Sequence, residues 1–154
     1  FETVESLASE HNLTVANDNS PRQVVLSGDA DALASCADTI RSRGGRCVLL
    51  ALEGAFHSRA MTPAVRALDE ALTFTNIRSP SVPVVANVTA LPYRAPGEIR
   101  KLLSEQVTER VRFRESIAYL VEQGVDEFVD LGPGSVVGKL ARETAENLKE
   151  IARV

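Results

Sequence analysis

His57 is the residue of this chain best placed for proton-transfer chemistry. The apolar run Leu49-Leu50-Ala51-Leu52 ends at Glu53-Gly54, and Ala55-Phe56-His57-Ser58-Arg59 then leads into a stretch where Met61, Val65, Leu68 and Leu72 recur at helical spacing. The imidazole therefore stands where a strand or loop hands over to a helix N-terminus, a kind of junction that presents side chains into clefts. An imidazole in such a place can serve as a general acid or base near neutral pH. The same spacing fits a packed histidine at a strand end equally well. The other histidine, His11, lies between Glu10 and Asn12, a polar setting that predicts a solvated helix end. Cys36 and Cys47 are too few and too isolated for a disulfide framework, and no CxxC pair or Cys/His cluster has metal-ligand spacing. They read as two reduced, mostly buried thiols, and no metal is expected.

The elements that must position His57 follow from the change of period along the chain. Phe1, Val4, Leu7 and Ala8 fall on one helical face that stops near Asn12. Leu13-Thr14-Val15-Ala16 and Gln23-Val24-Val25-Leu26-Ser27 predict two short strands around the polar turn Asn17-Asp18-Asn19-Ser20-Pro21. Leu33, Ala37 and Ile40 mark a helix that Asp29 or Asp31 caps and Gly44-Gly45 ends. Arg46-Cys47-Val48-Leu49-Leu50 is expected as a buried strand, and Thr73-Phe74-Thr75-Asn76-Ile77 as an edge strand after the helix that follows His57. This first half reads as a small α+β unit of alternating elements.

A second unit follows. The β-branched run Val82-Pro83-Val84-Val85-Ala86-Asn87-Val88 predicts a strand, residues 91–97 a loop, Ile99 to Val107 a helix with Pro96 near its first turn, and Phe113 to Val121 another. Glu127-Phe128-Val129-Asp130-Leu131 predicts a strand and Gly132-Pro133-Gly134 a tight turn. Val136, Val137 and Leu140 mark a last helix whose apolar signal thins beyond Glu143, where fraying is expected.

Composition sets outer bounds. The chain has 154 residues, 44% of them apolar, enough for one core of useful size. Its 17 basic and 21 acidic residues are intermixed and give a formal net charge of -4, so no basic stripe predicts a nucleic-acid partner. Apolar runs are well short of the ~20 residues that span a bilayer, and no charged-then-apolar leader opens the chain. Neither a membrane nor a nucleic acid is an expected partner, and a cytoplasmic protein is predicted. The first residue is Phe1 and the only methionine is Met61, so the chain reads as a piece of something longer.

Four motifs in order, Asn17-Asp18-Asn19-Ser20-Pro21-Arg22-Gln23-Val24-Val25-Leu26-Ser27-Gly28, Gly54-Ala55-Phe56-His57-Ser58, Pro83-Val84-Val85-Ala86-Asn87-Val88 and Asp130-Leu131-Gly132-Pro133-Gly134, cover most of the chain. Together they resemble the acyltransferase domains of polyketide synthases and the malonyl-CoA:acyl-carrier-protein transacylases. The Gly-Ala-Phe-His-Ser form looks most like the discrete acyltransferases that act in trans. The resemblance implies an α/β fold in which a ferredoxin-like small subdomain, residues 13–77, is joined to the C-terminal part of an α/β-hydrolase-like large subdomain, residues 78–154, with residues 1–12 as a helix end of the large one.

It further implies an enzyme that moves malonyl from malonyl-CoA to the phosphopantetheine thiol of an acyl carrier protein, in polyketide or fatty acid synthesis, without a bound cofactor. His57 matches the family's catalytic histidine, and Gln106 the residue whose main-chain carbonyl orients it; a half-buried helical glutamine is the plainer reading of Gln106. Phe56, beside the histidine, implies an unbranched malonyl unit, its plainer role being core packing. Asn19 and Gln23 match a polar motif that approaches the substrate from the small subdomain, although a turn explains an asparagine there as well. Asn87 stands likewise.

The family's nucleophilic serine sits on a Gly-His-Ser-x-Gly elbow beside the donors of an oxyanion hole, and no G-x-S-x-G occurs in this sequence. Gly134-Ser135-Val136-Val137-Gly138 has the wrong spacing, and Ser135 reads as a cap of the last helix. Arg59 reads as a solvated helix-start residue. The serine is thus expected in a preceding, N-terminal part of the same acyltransferase, which leaves this piece inactive alone. An acyl hydrolase acting on carrier-bound chains and a non-catalytic carrier-binding remnant are the alternatives; a bare ferredoxin-like regulatory domain does not accommodate residues 82–142.

Overall fold

The computed structural model describes residues 2–151; Phe1, expected on the face of the first helix, lies outside them. Among the described residues, six α-helices and one antiparallel hairpin make up the regular structure: α1 (Glu2–Glu10), β1 (Thr14–Ser20), β2 (Gln23–Ser27), α2 (Ala30–Ser42), α3 (Thr62–Phe74), α4 (Pro96–Glu105), α5 (Phe113–Glu122) and α6 (Val136–Ile151). A short 3₁₀ turn, Arg59–Met61, precedes α3. The mixed α/β class is as expected, and the helices begin and end near the predicted signals. Asp29 caps α2, its carboxylate accepting from the amides of Asp31 and Ala32. Pro63 lies in the first turn of α3 and Pro96 in that of α4.

Leu7, Ala8, Leu13 and Cys36 form a buried apolar cluster, joined by Val15, Leu26, Leu33 and Ile40, so α1 and α2 pack on the hairpin. The hairpin differs from expectation in its length. β1 runs through Asn17-Asp18-Asn19, pairing Asn17 with Val25 and Asp18 with Val24, and only Pro21-Arg22 turns. Alternate residues Ala16, Asp18 and Ser20 are buried at 1–2% exposure, so the strand period is kept with polar residues on the inner face. What sustains it is tertiary: the Arg114 guanidinium reaches both carboxylate oxygens of Asp18 at 2.8–3.0 Å. On its other edge β1 meets Val111, whose carbonyl accepts from the Asp18 amide (2.9 Å) and whose amide donates to Ala16 (2.8 Å).

Four predicted strands do not form. Residues 46–50 and 127–131 have no ladder partner among the described residues, and Val48, Leu49, Val129 and Leu131 are exposed. Residues 82–88 make only an isolated bridge, Val85 to Pro92. A β-branched composition selects a pleated, half-buried surface only where neighbouring strands supply one. Residues 73–77 fail for a different reason. The hydroxyls of Thr73 and Thr75 donate back to the carbonyls of Asp69 and Ala71, which prolongs the helical path to Phe74. The last helix is longer than predicted, running to Ile151, because Ala141, Thr144 and Ala145 are buried beneath it and α5 and β1 pack there. Among the described residues, no helix is long and apolar enough to cross a membrane.

Candidate active site

The loop from Gly54 to Ser58 sets the imidazole by backbone conformation. Gly54 has φ +151°, and the Phe56 ring lies against it so closely that a Cβ there would come within 3.2 Å of two ring atoms. His57 itself has φ +55°, the left-handed region that few residues with a Cβ adopt and where strain gathers at functional sites. Ser58, 4% exposed, holds the turn: its hydroxyl donates to the Ala55 carbonyl at 2.6 Å and accepts from the Ala60 amide.

The imidazole meets the end of α4. His57 Nδ1 lies 2.8 Å from the Gln106 carbonyl oxygen. A carbonyl only accepts, so Nδ1 carries a proton, and in the neutral imidazole the lone pair then falls on Nε2. Gln106 is the C-cap of α4, with helical φ -58° and ψ -24°. Carbonyls in the last helical turn lack intrahelical donors, and His57 supplies one here. The ring is partly exposed rather than enclosed in an apolar core.

Of the five residues singled out by sequence, the structure joins His57 to Gln106 and, separately, Asn19 to Gln23, whose side chains hydrogen-bond at 2.9 Å across the hairpin. Among the described residues no hydrogen bond links the two pairs. Phe56 remains 44% exposed. Asn87 contributes its carbonyl to the Arg112 amide at 2.9 Å. Arg59 is exposed, as read from sequence. Asp130 rather than Ser135 secures the start of α6: its carboxylate accepts from the amides of Gly138 (2.9 Å) and Gly132 (3.1 Å), and those bonds hold its pKa below the ordinary carboxylate value.

Several residues that build the site were invisible in the sequence because their partners are remote. Arg100 donates to the Leu72 and Thr75 carbonyls, and Ser104 to the Asp69 carboxylate, tying α4 to α3. Arg112 pairs with Glu115, which holds the Glu115 carboxyl below its usual range, mainly through that hydrogen bond. The turn after Gln106 also lines a cleft of about 430 Å³ with Thr14, Val15, Val88, Glu109, Arg110 and Arg112; His57 is not on its wall. No group of three His, Cys, Asp or Glu side chains is arranged to hold a metal ion among the described residues.

Residues 2–154 match the family model described as acyl transferase domain. The chain is 36% identical to a malonyl CoA-acyl carrier protein transacylase of Bacillus subtilis over 153 residues, which are 98% of this chain and 48% of that protein. It is 33% identical to a polyketide biosynthesis malonyl CoA-acyl carrier protein transacylase from the same organism, over 93% of this chain and 50% of the other. Among solved structures it superposes on an acyl-carrier-protein-S-malonyltransferase from Bartonella henselae with a TM-score of 0.88 at 34% identity, covering 99% of this chain and 54% of that one. The chain thus spans about half the length of the relatives it matches.

Proposed function

This chain belongs to the acyl transferase domain family, and from that premise we propose that it is the C-terminal portion of an acyltransferase that carries malonyl from CoA to the phosphopantetheine thiol of an acyl carrier protein. The observation that carries the proposal is the 2.8 Å contact between His57 Nδ1 and the Gln106 carbonyl. It fixes the tautomer in which Nε2 is a free base, the state that a proton shuttle requires.

In the proposed cycle His57 Nε2 removes the proton of a serine supplied by the preceding part of the acyltransferase. The serine oxygen attacks the malonyl thioester carbonyl, the C–S bond breaks, and His57 returns the proton to the departing CoA thiolate. The carrier's thiol then gives its proton to His57 and attacks the acyl-serine, and the serine oxygen leaves and is reprotonated. No cofactor enters either half. Phe56 beside the imidazole narrows the space at the α-carbon and favours malonyl over a branched unit. Asn19 and Gln23 are assigned to the substrate side of the small subdomain.

On the same reading residues 13–77 form a ferredoxin-like small subdomain and residues 78–154 the C-terminal part of an α/β-hydrolase-like large one, entered through residues 1–12. Leu7 and Ala8 of α1 pack with Leu13 and Cys36 while Glu5 pairs with Arg110, which supports α1 as the joint between the two. The unpaired segments 46–50 and 127–131 supply strands for the missing part to pair with.

The test is single-turnover malonyl transfer to carrier protein by the full-length acyltransferase that carries this chain. His57→Ala is expected to lower the rate by roughly 10²-fold or more. Transfer that survives the substitution unchanged would refute the assignment. The chain of residues 1–154 alone is expected to form no covalent malonyl adduct, and stoichiometric acylation of it would place the nucleophile here instead.

A further inference from the structure

The contact between His57, in the loop that leads into α3, and Gln106, the C-cap of α4, is continued by three further contacts along one line. From the loop before α3 to its C-cap, His57 meets Gln106, Asp69 meets Ser104, and Leu72 and Thr75 meet Arg100. Numbers that rise on one helix fall on the other, so α3 and α4 run antiparallel. Each helix also buries a leucine, Leu72 on α3 and Leu102 on α4. Apolar contact is non-directional and tolerates sliding along the axis. A slide of one residue is about 1.5 Å, whereas the 2.8 Å contact at His57 ceases to be a hydrogen bond once it lengthens by less than half of that. Packing alone therefore does not hold the carbonyl where the imidazole needs it.

Arg100 supplies direction. Its half-buried guanidinium places Nε 3.2 Å from the Leu72 carbonyl and Nη2 3.1 Å from the Thr75 carbonyl, so one rigid fork grips two acceptors at the C-terminal end of α3. A cation there also suits the helix dipole. The Ser104 hydroxyl, two residues before Gln106, anchors the same face of α4 to Asp69.

We propose that Arg100, assisted by the Ser104–Asp69 hydrogen bond, is a positioning residue that sets the register of α4 on α3 and so holds the Gln106 carbonyl on His57 Nδ1. It touches no substrate and acts only through that carbonyl. The inference deepens the acyl-transfer reading and rests on it for its catalytic consequence, though not for its geometry.

The experiment uses the full-length protein with ¹⁵N-labelled histidine, in which the His57 signal is identified as the one that His57→Gln removes. In the otherwise unsubstituted protein His57 is expected as the Nδ1–H tautomer with a protected, low-field proton. Arg100→Met is expected to lose that protection, to mix the tautomers, and to lower kcat roughly ten- to a hundred-fold with KM little changed. Arg100→Lys, which keeps the charge and one donor, is expected to restore part of both. Arg66→Ala, which removes an exposed ion pair on α3, is the control expected to change neither. Should Arg100→Met not fold, Ser104→Ala is judged on the same signal, where partial loss of protection is expected.

A His57 signal unchanged in whichever of these two variants folds overturns the proposal. The signal is read without substrate, which separates the two claims. Its loss on substitution, in a protein that never transferred malonyl, would leave the clasp standing and remove the acyl-transfer reading. Its persistence with transfer intact would do the reverse.

Discussion

At the scale of single residues, the strained backbone around His57 is what orients the imidazole. A φ of +55° at a residue with a Cβ persists only where the surroundings over-determine it. Here Ser58 pins one side of the turn and the Gln106 carbonyl takes the ring on the other. Phe56 is held by its own loop, its ring lying on Gly54. In the proposed reading, a ring in that place subtracts the volume a branched acyl unit needs. Phe56→Ser is therefore expected to raise the ratio of methylmalonyl to malonyl kcat/KM by roughly 10-fold or more, the size of effect one methyl group commands in a pocket. Parallel transfer assays with the two acyl-CoA thioesters measure it, and an unchanged ratio would remove Phe56 from the acyl pocket.

At the scale of elements, the hairpin and α5 are locked by one ion pair. The Asp18 carboxylate is 1% exposed and bound through both oxygens by Arg114, whose side chain is 35% exposed. The geometry is good, and its strength shows when one partner is removed, because the other charge then remains buried. Arg114→Met is expected to destabilise the fold by about 3 kcal/mol, toward the lower end for such pairs because solvent reaches Arg114. The double variant Asp18→Asn with Arg114→Met is expected to recover part of that loss. Urea unfolding of the four members of the cycle gives the coupling; additive losses would mean that the pair does not act as a unit.

At the scale of the molecule, the exposed apolar residues are grouped rather than scattered. Val48, Leu49, Leu50 and Leu52 lie on one unpaired segment; Val129, Leu131, Val136 and Val137 lie around the start of α6. Exposed apolar stretches of this kind mark surface made to be covered. In the proposed reading the cover is the other half of the acyltransferase. Residues 1–154 produced alone are expected to bind a hydrophobic dye such as ANS strongly and to self-associate, and co-expression with the preceding half is expected to abolish both. Dye binding that stays at the background of a folded monomer in the isolated chain would contradict this.

The helices, the capping Asp29 and the junction that carries His57 were legible in the sequence, because helical period and cap chemistry are local. So was the family, since its motifs are themselves short and contiguous. β2 and the start of β1 were legible too, but the four other expected strands did not form. Whether 46–50 or 127–131 becomes a strand depends on a neighbour that the segment does not contain, and whether Asn17-Asp18-Asn19 turns or extends depends on Arg114, far along the chain. The pairing of His57 with Gln106 was expected from family resemblance alone, and nothing local to either residue requires it. Only the tertiary structure, by laying α4 antiparallel to α3 under the grip of Arg100, brings a helix-end carbonyl to within 2.8 Å of the imidazole. A hydrogen bond between remote residues depends on distance in space, and distance in space is a property of the packed chain.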